Sequence, residues 1–248
     1  MKTAVSKPGF LAKRIGIAGL LAVFTLVGAA CKEHSIDLRY VPQMAERPVT
    51  LPDGHKIYVQ KYEITVAEWN ICHNDGACSE GLRAFAGHDP AKVPATGLNR
   101  LDIAQYLDWV NAKSGHFFRL PTKPEWEFMA RDALPKKHDP IFTNPDLRWA
   151  SAYLTDGLTP RALRDQGSFS TSDEGIADLD GSVWEWTNDC YAGNTAPANN
   201  NRCPAYVVAG EHIAVIPYLV RDPARGGCAV GAPPAHLGFR LVTDTKPE

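Results

Sequence analysis

The sequence lacks a surplus of positive charge: 26 Lys and Arg stand against 28 Asp and Glu in 248 residues, a formal net charge of −2. A nucleic-acid partner, whose phosphates call for a basic face, is not indicated. Long apolar runs are scarce too. The longest, Ile15 to Ala30, is sixteen residues, short for a bilayer span and interrupted by Gly16, Gly19 and Gly28. No internal repeat occurs and no low-complexity tract is longer than Asn199 to Asn201, which argues against solenoid and fibrous architectures. None of the eight histidines sits in an HExxH arrangement, and there is no Gly-x-Ser-x-Gly elbow or Walker-type loop. Zincin, elbow-serine and P-loop chemistries therefore have no foothold.

What is present begins with an export signal over residues 1–30, because Lys2, Lys7, Lys13 and Arg14 precede the apolar run and "GAAC" follows it. Cleavage before Cys31 leaves an N-terminal cysteine, as in a lipid-anchored lipoprotein, although Gly28 stands where leucine is preferred. The alternative is plain cleavage after Ala30. Removing the signal takes away four basic groups and no acidic one, leaving 22 against 28 and a net charge of −6. A periplasmic or cell-envelope location follows, with membrane contact only through the anchor at Cys31.

Six cysteines in an exported chain read first as disulfides. Cys31 belongs to processing. In "CHNDGAC" the intervening residues have turn chemistry, so Cys72 and Cys78 can close a small ring. Cys190 and Cys203 flank "YAGNTAPANNNR", which has little to bury and gains from a staple. Connectivity does not follow from sequence, but this pairing leaves Cys228 as an odd thiol.

Residues 31–44 read as a linker. "HKIYVQKYEIT" alternates Ile57 and Val59 against Tyr58 and Gln60, which predicts a strand over 55–65. "LNRLDIAQYLDWVNAKSG" predicts a helix with Asn99 as cap, Asp102 in the first turn and Gly115 as stop. A second helix opens at "LPTKPEWEFMAR", where Thr122 and Glu125 make a T-x-x-E capping box and Pro124 falls in the first turn. From Asp132 onward loops dominate. The expectation is an irregular α+β domain held by long-range packing, to which six tryptophans contribute.

Five segments, "KYEITVAEW", "FRLPTKPEWEFMAR", "GSF", "GIADLDGSVWEWTNDC" and "LGFRLV", resemble in order and spacing the formylglycine-generating enzyme (sulfatase-modifying factor) family, over residues 45–243. The resemblance implies a single domain related to C-type lectin-like folds, with little regular secondary structure. The "WNICHNDGAC" segment and the spacing of Cys190 and Cys203 are similar to a disulfide-bearing bacterial branch, in keeping with the pairing above.

For function, Asp178, Asp180, Ser182 and Glu185 offer hard oxygen ligands within eight residues, with Gly181 for the turn. By spacing alone a solvated acidic turn over buried Trp184 and Trp186 is the stronger reading; the resemblance implies calcium in this region. Active relatives are similar to one another in binding Cu(I) through a cysteine pair after a Gly-Gly-Ser segment. Here the corresponding stretch is "VVAGEHIAVIPYLVRDPAR", anchored by Arg221 and Arg225, and no cysteine lies between Ala209 and Arg221. Copper therefore has no thiolate pair. Aligning "RGGC" instead leaves too few residues before "LGFR". The leading expectation is a binding or maturation module for an extracytoplasmic protein or peptide, with Arg221, Arg225 and His212 lining a groove. The alternative is a metal-dependent oxidoreductase acting on a protein residue or small molecule, with Cys228 or His212 as catalytic candidates.

Overall fold

The computed structural model describes residues 37–134, 141, 144, 162–191, 203–223 and 234–247. Among these residues three α-helices, α1 (Val66–Asn74), α2 (Arg100–Ser114) and α3 (Lys123–Met129), each open on a reciprocal capping box. At α2 the Asn99 side chain accepts the Leu101 and Asp102 N–H groups at 2.9 and 3.0 Å, while Asp102 accepts the Asn99 N–H at 2.9 Å. Gly115 ends it at φ 71°, a left-handed turn that glycine adopts without strain. Thr122 and Glu125 cap α3, with a proline in its first turn. Both helices match the sequence reading.

α1 does not. The strand expected over 55–65 stops at Val59, and α1, which the sequence reading did not anticipate, opens at Val66, where Glu68 takes the Thr65 N–H at 2.7 Å and its hydroxyl at 2.8 Å. A T-x-x-E box thus starts this helix.

Among the described residues the strands are, in chain order, β1 (Val49–Thr50), β2 (Lys56–Val59), β3 (Val183–Tyr191), β4 (Ala205–Ala209), β5 (Ala214–Pro217), β6 (His236–Gly238) and β7 (Val242–Thr243). β2 is the expected strand cut short, with Ile57 and Val59 buried. A three-stranded antiparallel sheet runs β1-β2-β7, and a four-stranded one runs β5-β4-β3-β6. β3 pairs antiparallel with β4, Trp186 opposite Val208, and parallel with β6, Trp184 opposite Leu237. Between Trp186 and Cys190 the β3/β4 register shifts, so four residues advance along β3 for two along β4.

Two clusters fill the interior. In one, Trp69 stacks on Tyr106 at 5.6 Å between centroids, and Phe239 meets both rings edge-on. The other joins Trp126 of α3 to Val49, Ile57, Val59 and Val242 of the smaller sheet. Among the described residues five tryptophans are buried, and the indole N–H groups of Trp69, Trp109, Trp126 and Trp186 all donate to named acceptors. Residues 37–44 also pack on this body: Tyr40 lies edge-on to Trp109 at 5.4 Å, and Met44 bridges to Gln60. The mixed α+β class and the low content of regular structure are as expected.

Candidate functional site

The loop before β3 holds the acidic residues expected to bind calcium. Asp178 adopts φ 65°, unusual outside glycine, and its carboxylate accepts the backbone N–H groups of Gly167 and Phe169. Asp180 accepts the Ser170 N–H at 3.1 Å. These two acids therefore hold the "GSF" segment against the loop. Glu185 points elsewhere: it is 0% exposed, takes the Trp126 indole N–H at 2.8 Å and pairs with Arg240. Ser182 is buried beside them. Among the described residues no three His, Cys, Asp or Glu are grouped to hold a metal ion. The expected set Asp178, Asp180, Ser182 and Glu185 does not fit calcium, because Glu185 is committed to a guanidinium and Asp178 to backbone donors.

Arg240 is the centre of a cluster that sequence reading missed. Its guanidinium donates to Glu185 at 2.6 and 2.8 Å and to the Ala177 and Lys61 carbonyls at 3.0 and 3.2 Å, and it lies 3.8 Å from Glu63. One cation between two buried carboxylates compensates one of them. Burial pushes the other, Glu63, up to about 8, against the pull of Arg240 and with the push of Glu185 and Asp178. "KYEIT" and "LGFR" carried these residues in the sequence, but nothing local marks a charge as buried.

The hairpin β4–β5 carries the segment expected to act. Its turn, 210–213, places His212 edge-on to Trp184 at 3.8 Å between ring centroids. Gly210 is required here, since a Cβ would stand 2.4 Å from Trp184 Cδ1. Arg221 lies beyond the other end of β5, in a fork to Asp102 at 2.7 and 2.8 Å, with Glu80 at 2.9 Å. β5 thus lies between His212 and Arg221, which stand beyond its opposite ends. Around Arg221, Leu101, Tyr218 and Leu219 are exposed, tied to α2 by the Arg100 N–H on Tyr218 O at 3.0 Å. Arg225, Cys228 and Cys31 lie outside the described residues.

The two expected disulfides are present. Cys72 and Cys78 join the end of α1 to the turn after it, and Cys190 and Cys203 join β3 to the start of β4. All four cysteines among the described residues are bonded, and the stretch Ala209 to Arg221 contains none. A thiolate pair for Cu(I) does not fit these residues. Among them, too, no helix is long and apolar enough to cross a membrane.

The sequence matches the family model of the sulfatase-modifying factor enzyme 1-like domain over residues 25–245. It is 25% identical over 182 residues to the formylglycine-generating enzyme of Mycobacterium tuberculosis strain H37Rv, an alignment that takes in 63% of this chain and 59% of that protein. The match thus spans less than two thirds of that relative's length. Among solved structures, the crystal structure of CarF superposes with a TM-score of 0.51 at 14% identity, over 77% of this chain and 87% of that one. That of PvdO from Pseudomonas aeruginosa gives 0.44 at 18% identity, over 80% and 89%. The likeness to CarF speaks for the fold alone.

Proposed function

Because this chain belongs to the sulfatase-modifying factor enzyme 1-like domain family, we propose that it is an exported binding or maturation module for an extracytoplasmic protein or peptide, and that it does not form formylglycine. The observation that carries this reading is the hairpin β4–β5 with its following turn. The stretch that the resemblance aligns with the copper cysteines is fully described from Ala209 to Arg221 and holds no thiol. What it carries instead suits contact with a chain: Tyr218 and Leu219 are exposed, as is Leu101 on α2, and the Arg221 guanidinium is preset by Asp102 and Glu80. The two disulfides and the expected signal support action outside the cytoplasm.

The test uses protein exported to a bacterial periplasm with both disulfides formed. Incubated with Cu(I), O2 and a cysteine peptide that the family's active members oxidise, it should leave the peptide mass unchanged; aldehyde formation would overturn the proposal. A photo-crosslinker at Leu219 should then capture a periplasmic protein that the same probe at exposed Phe117, beyond the opposite end of α2, does not. Equal capture at both positions would count against a binding face. With both disulfides formed, Cys228 is the body's odd cysteine, so metal analysis of wild type and Cys228→Ser separates the second reading. Copper or iron at near one equivalent that disappears in the variant would make the protein an oxidoreductase.

A further inference from the structure

A cavity of about 280 Å³ opens where the end of β2 meets α1. Its polar lining includes Glu63, Glu68, Gln43 and Gln166, and among the described residues no Lys, Arg or His lines it. Ala67 and Ile71, four residues apart and so on one face of α1, supply apolar wall, and Ile71 is 48% exposed at the lip.

Two acids are unequally engaged here. Glu68 Oε2 holds the cap of α1, and Oε1 takes no part in that cap. Glu63 is 2% exposed, yet its Oε2 has no hydrogen-bond partner. A buried carboxyl oxygen left bare is destabilising by about 1–3 kcal/mol, and such groups call for an explanation in a bound species. Cations are favoured, since every ionisable group among the described lining residues is a carboxyl or a phenol. A metal ion is poorly served, because two carboxyls fall short of the oxygen shell that hard cations take. The volume lies at the small end of ligand sites and suits a head group with a few methylenes.

We propose that this cavity binds a primary alkylammonium ion, its head held by Glu63 and Glu68 and its aliphatic stem laid along Ala67 and Ile71. Ammonium presents three donors to acceptors that lack them. Charged groups face Glu63 from four sides: Arg240 before β7, Glu185 on β3, Asp178 in the loop before it and Glu68 on α1. With its carboxyl pushed up to about 8 by burial, Glu63 holds a proton near neutrality. A docked cation favours its ionised form, so binding releases a proton and tightens as pH rises toward 8. The amine stays charged throughout.

The exported full chain is titrated by calorimetry with n-butylammonium chloride and, separately, with n-butanol. The ammonium should saturate one site and the alcohol none. Glu68→Gln keeps a capping-box residue and should weaken binding roughly tenfold or more, the weight of one charge-assisted hydrogen bond. Ile71→Lys puts a rival cation at an exposed lip and should do the same, both variants melting near the wild-type temperature. A capped Gly-Lys-Gly peptide distinguishes sources: affinity at least equal to that of butylammonium assigns the site to a partner's lysine, weaker affinity to a free amine. The proposal is overturned if butanol binds as well as the ammonium, if neither binds, or if both variants bind unchanged.

Discussion

Glu63 shows how one side chain writes a pH dependence into the molecule. Its folded carboxyl titrates near 8, above the 4.5 of a free glutamate, because burial disfavours its charge and Arg240 is already engaged by Glu185. Between those values the folded protein keeps a proton that the unfolded chain gives up, so stability declines as pH rises from about 4.5 to about 8 and is flat beyond. Glu63→Gln should abolish that decline, read as the change in melting temperature between pH 5 and pH 8. An undiminished slope would mean that another group carries it. Asp244 acts in the opposite sense: a hydrogen bond from Arg119 holds it below 3.8, so its contribution is lost only as acid is added below that range. None of this was legible in the sequence, where Glu63 and Arg240 lie 177 positions apart and each resembles an ordinary surface charge. His212 and Arg221 are nine positions apart and flank the two ends of β5, a placement that their spacing in the sequence does not reveal.

At the scale of elements, what could be read was local. Asn99 with Asp102 and Thr122 with Glu125 announce their helices because a capping box is complete within four residues. Thr65 with Glu68 had the same spacing and was hidden by the preceding alternation. Thr65→Ala should therefore destabilise the protein by about 1 kcal/mol, measured by denaturant unfolding with the slope unchanged; loss of α1 altogether would show as a changed slope. The larger sheet was illegible because its strands are buried on both faces. Val183 to Trp186 and Val207 to Ala209 show no alternation, and β3 finds β6 only after a separation of more than fifty residues. A parallel pairing over that distance leaves no turn signal to read.

For the molecule as a whole, cross-links contribute what modest regular structure does not. The Cys190–Cys203 bridge closes a loop of separation 13 and the Cys72–Cys78 bridge one of 6. Replacing both cysteines of the longer loop by serine should lower stability by about 3 kcal/mol, against about 2 kcal/mol for the shorter, if the bridges act by restricting the unfolded chain. Thermal unfolding of the two double variants gives the comparison, and a reversed order would locate the effect in native contacts instead. Charge balance and family were open to the sequence at this scale because each depends on composition or on contiguous motifs. The irregular path between those motifs was not, since it follows from packing of Trp69, Tyr106 and Phe239, which come from distant parts of the chain.

Residues 236–243 enter both sheets within eight positions: β6 lies along β3, β7 along β2, and Phe239, Arg240 and Leu241 between them fill the centre. Before that stretch is available, Glu185 has no guanidinium, β2 has only the two-residue β1 beside it, and the aromatic cluster lacks Phe239. Assembly is therefore gated in time. Until residues 236–243 are in place both half-built sheets stay open, exposed to proteases and wrong partners until that closing segment arrives.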